Sequence, residues 1–254
     1  MKRLLPCLLT LLFNAAAFAV PVGNPALPSL LFEGCVVPDT FWSNPQLGVA
    51  GDYLISKRLK ACHSVQGIDL HNATIEGTSE IATVGWNIRE RFCLQGEVGS
   101  GQFFWQWQQV GQNVSGQLSQ GLIWSGAAKC ILLEMADTTL AVDAHAGGWN
   151  WMKGHENTDG RAVRGECRSV MRYWQVSAGL TQKIGPFAPY IGFATNRMRL
   201  KIAPLVTGTA RMHQRHAIGP YGGCTLTWGS CFALNVEWRG WFEQGLTLSG
   251  QLRF

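Results

Sequence analysis

The chain carries little charge. Only 15% of its 254 residues are Asp, Glu, Lys or Arg, where a soluble domain usually has about a quarter. Beyond residue 19 it has no run of 18 apolar residues, so no transmembrane helix is expected. Basic runs, internal repeats and low-complexity tracts are absent too. The formal net charge of +5 therefore points to no nucleic-acid partner. C-x-x-C spacings are missing, which removes the common zinc frameworks. A chain that spans a bilayer without helices must do so as a closed β-barrel, because hydrocarbon leaves no partner for open backbone groups.

What is present supports export. Met1-Lys2-Arg3 precedes an apolar stretch from Leu4 to Phe18, and Ala17-Phe18-Ala19 offers small residues for a signal peptidase. This predicts a signal peptide over residues 1–19, cleaved after Ala19. Residues 20–45 hold Pro21, Pro25, Pro28, Pro38 and Pro45 and read as an irregular N-terminal segment. Residues 46–254 read as an outer-membrane β-barrel.

Period-two alternation runs through that region and marks strands. It is clearest at the end, where Leu246, Leu248, Gly250, Leu252 and Phe254 share one face. The terminal Phe254 with Leu246, Leu248 and Leu252 forms a pattern like the signal read by the outer-membrane barrel-assembly machinery. In the preceding strand, Phe232, Leu234, Val236 and Trp238 are expected toward lipid, with Ala233, Asn235, Glu237 and Arg239 inward. Met198, Leu200 and Ile202 alternate with Arg197, Arg199 and Lys201, on the opposite parity from Ile191 and Phe193. A bulge near Thr195 would reconcile them. The pattern predicts an all-β antiparallel transmembrane barrel of about ten strands, with twelve as the alternative. The strands are placed near 47–58, 79–88, 91–99, 119–133, 137–150, 169–183, 187–200, 213–229, 231–240 and 244–254. Twelve would result if Phe103–Gln109 and Val114–Ser119 formed a further hairpin. Connections alternate short and long, as in barrels with short periplasmic turns, except for a short outer connection at 241–243. The long outer loops fall at 59–78, 100–118, 151–168 and 201–212.

Several segments resemble, in order, the chlamydial major outer membrane protein family. They are Pro21-Val22-Gly23-Asn24-Pro25 with Pro28-Ser29-Leu30, then Gly51-Asp52-Tyr53 and Asn87-Ile88-Arg89-Glu90-Arg91-Phe92. Tyr173-Trp174-Gln175, Pro189-Tyr190-Ile191-Gly192 and the ending Gln251-Leu252-Arg253-Phe254 follow. The resemblance implies a cysteine-rich porin, cross-linked by disulfides in an envelope poor in peptidoglycan. The chain is much shorter than typical members of that family and lacks their long variable loops. Ten strands lie near the size at which side chains fill a barrel interior.

Arg197, Arg199, Lys201, Arg239 and Arg253, with Glu237 among them, are the predicted lumen set. As an open ring they would favour anions; in a filled lumen they would pair with one another. Without Cys7, the cysteines are Cys35, Cys62, Cys93, Cys130, Cys167, Cys224 and Cys231. All are disulfide candidates in an oxidising compartment. Their odd number leaves one free or bonded to another chain. Cys224–Cys231 is a candidate bond across a hairpin. Asp69 with His71 and Asp143 with His145 could join acid and imidazole at an outer rim, as in omptin-type barrel proteases. No segment here resembles those enzymes, and a hydrogen-bonded lumen pair is the expectation. Trp149, Trp151 and Trp241 are placed at outer strand ends as an interfacial girdle. Phe103-Phe104-Trp105-x-Trp107 falls in an outer loop, either exposed to a partner or folded inward.

The reading is a small porin-like protein integral to a bacterial outer membrane, passing ions or small solutes and linked by disulfides. The alternative is a plugged structural or adhesin barrel without channel activity. No enzyme activity, metal or cofactor is implied. The expected partners are outer-membrane lipid, the barrel-assembly machinery, and disulfide-linked copies of itself or other envelope proteins.

Overall fold

A computed structural model describes residues 23–31, 45–61, 71–88, 91–109, 112–158, 161–205, 208–229, 231–241 and 243–254. The signal peptide, Cys35, Cys62 and Asp69 lie outside them. The strands are β1 (Pro45–Ala61), β2 (His71–Ile88), β3 (Phe92–Gln109), β4 (Gln112–Met135), β5 (Thr138–Thr158), β6 (Arg161–Gln182), β7 (Phe187–Leu205), β8 (Gly208–Gln214), β9 (Ile218–Trp228), β10 (Phe232–Arg239) and β11 (Gln244–Arg253). One helical turn, α1 (Leu27–Leu30), precedes them.

All strand pairings are antiparallel, and β1 pairs with both β2 and β11, which closes the sheet on itself. The membrane-level ring is β1–β7, β9, β10 and β11, ten strands as expected. The strand β8 is additional. It hairpins back on the outer end of β7 and reaches across to the outer end of β1, where Leu59, Lys60 and Ala61 face Gln214, His213 and Met212. Above β9, β10 and β11 the ring therefore closes through β8 and holds eight strands. The residues of 201–212, expected as a loop, are largely strand.

The change of ring is built into β1. Its register shifts between Leu54 and Lys57 against β2, at the level where its other neighbour changes from β11 to β8. A bulge there turns the strand toward its new partner.

Strand lengths separate the same two levels. β10 has 8 residues and β11 has 10, about the 9–11 needed to cross a bilayer with tilt. β4 has 24, so at about 3.3 Å per residue it continues far past any membrane. The segments 100–118 and 151–168, expected as loops, are instead paired strand over most of their length. Phe103–Gln109 does pair with residues 112–118, but as the outer ends of β3 and β4 rather than as a new hairpin.

At the membrane level the outward positions are apolar: Val84, Trp86, Leu94, Val98, Ile191, Phe193, Val236 and Trp238 are all exposed. Trp228, at one end of β9, and Trp241, just past the other end of β10, are 70% and 79% exposed. They mark the two boundaries of an apolar band, the girdle of a transmembrane barrel. No helix among the described residues is long and apolar enough to cross a membrane. Closed ring and outward apolar band together define an integral outer-membrane β-barrel.

Candidate functional site

The interior has three levels. At the periplasmic end residues 23–31 lie inside the ring, with Asn24, Ala26, Leu27, Leu30 and Leu31 buried. Asn24 is the anchor. Its amide donates to Thr225 Oγ1 at 3.0 Å, and its Oδ1 accepts from Thr181 Oγ1 at 2.8 Å and from the Ala26 N–H at 3.0 Å. Lys129 reaches the Asn24 carbonyl at 3.5 Å, and Arg253 donates to the Leu31 carbonyl. Gly23 has φ +66, and a Cβ there would lie 2.9 Å from Lys129 Nζ. Glycine thus permits both the left-handed turn and the close lysine. Leu27 and Leu31 pack with Ala233. These residues belong to the Gly23-Asn24-Pro25 and Pro28-Ser29-Leu30 segments noted in the sequence. Nothing in their composition announced that they enter the lumen.

Midway lies a buried ion network. Arg239 contacts Asp52 and Glu237 through its two terminal nitrogens and Glu243 through Nε at 2.8 Å. Lys57 pairs with Glu243 at 2.7 Å. Thr247 donates to Asp52, and Tyr190 donates to Glu237 at 3.1 Å. Inward placement of Glu237, Arg239 and Arg253 follows the alternation, and they are paired rather than lining an open ring. Asp52, Lys57 and Glu243 were missed. Lys57 comes inward only through the β1 bulge, and Glu243 lies in the connection between β10 and β11. The network sits where β9, β10 and β11 end, so it closes the step between the two rings.

On the opposite wall His145 bonds Asp143 at 3.0 Å and stands 4.0 Å from Glu97. Ser125 donates to Glu97, and Gln95 does so at 2.9 Å. The expected lumen pair is present. His145 is buried in the periplasmic half of β5 rather than near an outer rim. A cavity of about 20 Å³ lies between this wall and Gly23, beside Thr83, Glu97, Lys129 and His145. That is room for about one water. His71 and Trp151 fall where side chains are not described.

Above the network the interior becomes apolar. Phe103, Trp105, Trp107, Trp149, Met171, Tyr173, Met198, Leu200, Ile202 and Met212 form one buried cluster with Leu59 and Ile75. Trp105 stacks on Trp107 with centroids 4.0 Å apart, and Phe103 leans on Trp149 at 4.4 Å. Phe103, Trp105 and Trp107 of β3 are thus core, Phe104 points outward, and Trp149 is core instead of girdle. Trp241 is exposed as expected.

The same level corrects the lumen set. Arg197, Arg199 and Lys201 point outward and are exposed, while Met198, Leu200 and Ile202 point in. Pairing of β6 with β7 is continuous from Arg168–Ala203 to Thr181–Tyr190, so no bulge exists near Thr195. The parity of Ile191 and Phe193 runs unbroken through Arg197. What changes is the surroundings of the outward face, from lipid to water.

The cysteines are corrected in part. Cys93, Cys130 and Cys224 are free thiols, so Cys224–Cys231 is not formed, and Cys231 is engaged elsewhere. The side chain of Cys167 lies outside the described residues. Among the described residues no group of His, Cys, Asp and Glu is placed to hold a metal.

No protein-family model and no curated protein matches the chain. Solved structures similar to it are outer-membrane barrels. The outer membrane protease OmpT from Escherichia coli has a TM-score of 0.49 and 8% identity, covering 85% of this chain and 99% of that one. The translocator domain of the autotransporter NalP from Neisseria meningitidis gives 0.42 and 9%, covering 86% and 88%. The toluene transporter TodX from Pseudomonas putida gives 0.36 and 9%, covering 94% of each chain.

Proposed function

We propose that this barrel is a plugged component of the outer membrane, without channel activity at rest, whose function resides on its outward surface. The supporting observation is the filling of the lumen at three successive levels: the 23–31 segment, the Arg239 network and the Trp105 cluster. A diffusing solute would have to displace all three. The Asp143–His145 pair is buried in the wall, which supports a role other than catalysis. Single-channel recording of the refolded protein in a planar bilayer tests the reading. Silence is expected, with folding verified by heat-modifiable gel mobility; discrete current steps would overturn it.

The porin reading is favoured by one observation, the polar membrane-level interior. It requires steps whose ion preference changes when Arg253 or Glu237 is neutralised. The resemblance to the chlamydial major outer membrane proteins would add a disulfide-linked envelope role. The odd number of cysteines after Cys7, and the outward positions of Cys130 and Cys224, support it. Higher oligomers that collapse with reductant on electrophoresis are then expected; monomers alone after oxidising extraction would remove that role.

A further inference from the structure

The outward face of β6, β7, β8 and β1 above the apolar band carries a lattice of cations. One row across the four strands is Arg172, Arg199, His213 and Lys60, each paired with the next. In the row above, Lys201 faces Arg211. In the row below are Arg197 and Arg215, with the Arg215 N–H donating to the Arg58 carbonyl. Arg58, Lys60, Arg172, Arg197, Arg199, Lys201, Arg211 and Arg215 are all exposed. β1, β7 and β8 contribute no carboxylate to this face, and the exposed Glu76 of β2 borders it beside Arg58. Like charges directly opposite each other destabilise a sheet. Here they recur at Arg172–Arg199 and Lys201–Arg211; Arg172 turns aside to bond Asn150 and lie over Trp124, which leaves Arg199, Lys201 and Arg211 as the cations that an anionic partner would relieve.

Its height identifies the partner's chemistry. Arg197 faces Trp174, which is exposed at the band's outer edge, and lies four residues beyond exposed Phe193. From Arg197 to Lys201 is about 13 Å along the strand, a rise of about 10 Å from the edge of the apolar band at the usual tilt of a barrel strand. Directly below, Ile191, Phe193 and Ile218 are exposed and apolar. The surface thus offers acyl contact below and dense positive charge immediately above. A soluble polyanion needs no apolar floor. We propose that this face binds the phosphorylated saccharide headgroup of an outer-leaflet glycolipid, with acyl chains on β7 and β9 and phosphates among Arg199, Lys201 and Arg211.

The test uses the refolded full chain in detergent micelles and a deep-rough lipopolysaccharide (two-Kdo lipid A) as probe. Its dephosphorylated form and heparin serve as comparisons. Arg199→Gln/Lys201→Gln/Arg211→Gln should weaken lipopolysaccharide binding at least tenfold, and the dephosphorylated lipid should bind both proteins equally weakly. Raised salt should reduce binding to the wild type far more than to the variant. The substitutions lie outside the lumen, so heat-modifiable mobility should be kept. Equal affinity of variant and wild type overturns the proposal. So does equal binding of phosphorylated and dephosphorylated lipid. Heparin binding that matches lipopolysaccharide and is lost in the variant would reassign the face to a soluble polyanion.

Discussion

Strand β2 behaves as two strands of opposite character joined end to end. In its membrane half Ala82, Val84 and Trp86 point outward and Thr83 and Asn87 point in. In its outer half Ala73 and Ile75 point in, and Glu76 points out. No residue is inserted between Thr74 and Ile88 in its pairing with β3. The alternation is unbroken while its chemistry inverts, and β3 and β7 do the same. A bilayer makes the outer face apolar and lets the interior be polar; water imposes the reverse. Each half satisfies its own solvent with one continuous backbone.

Substitutions can break or sharpen this contrast. The largest effect is expected in the outer interior. Trp105→Ala should cost about 3–5 kcal/mol through lost burial and the cavity left behind, read by urea unfolding in vesicles. Phe104→Ala, on the outward face, should cost much less, and equal losses would erase the distinction between the two faces. Arg239→Ala should cost a similar 3–5 kcal/mol or so, because Asp52 and Glu237 are left as buried carboxylates without a cation and Glu243 keeps only Lys57. A smaller loss would mean that water reaches the network. Next comes a pair that asks what each outward face meets. Val236→Arg should cost about 2–4 kcal/mol in lipid. Gln102→Arg, outward on the other half, should stay within about 0.5 kcal/mol; similar penalties would place both in the same medium. The smallest effect has the opposite sign. Arg199→Gln should stabilise the lipid-free protein by about 0.2–1 kcal/mol by relieving its cross-strand like charge, seen as a higher unfolding midpoint in detergent.

The inversion also decides what could be read from the sequence. Alternation was enough for the ten-strand ring, the facing of β10 and β11, and the inward Glu237, Arg239 and Arg253. In each of those strands lipid covers the outward face, so apolar meant outward. The same rule misplaced Arg197, Arg199 and Lys201 and called for a bulge at Thr195, because period two gives parity without saying which medium lies outside. Phe103, Trp105 and Trp107 already alternated with Phe104, Gln106 and Gln108, so β3 could have been extended, but the rule had no use for an apolar face turned in above the membrane. Strand β8 and the lumen position of residues 23–31 depend on long-range pairing. Seven residues carry β8, and Asn24 finds Thr225 across 201 positions of chain. No local pattern encodes such a distance.

The β8 crossing gives the molecule two seams of unequal strength. The membrane ring is fastened by ten residue pairs between β1 and β11; the outer ring is fastened by three between β1 and β8. Unzipping the shorter seam leaves the membrane ring intact, yet it bares the aromatic core sideways, at the height of the headgroups. The fold therefore carries a hinged flap on a fixed collar. Amide exchange should begin at Leu59–Ala61 and Met212–Gln214 long before it reaches the strand pairs below.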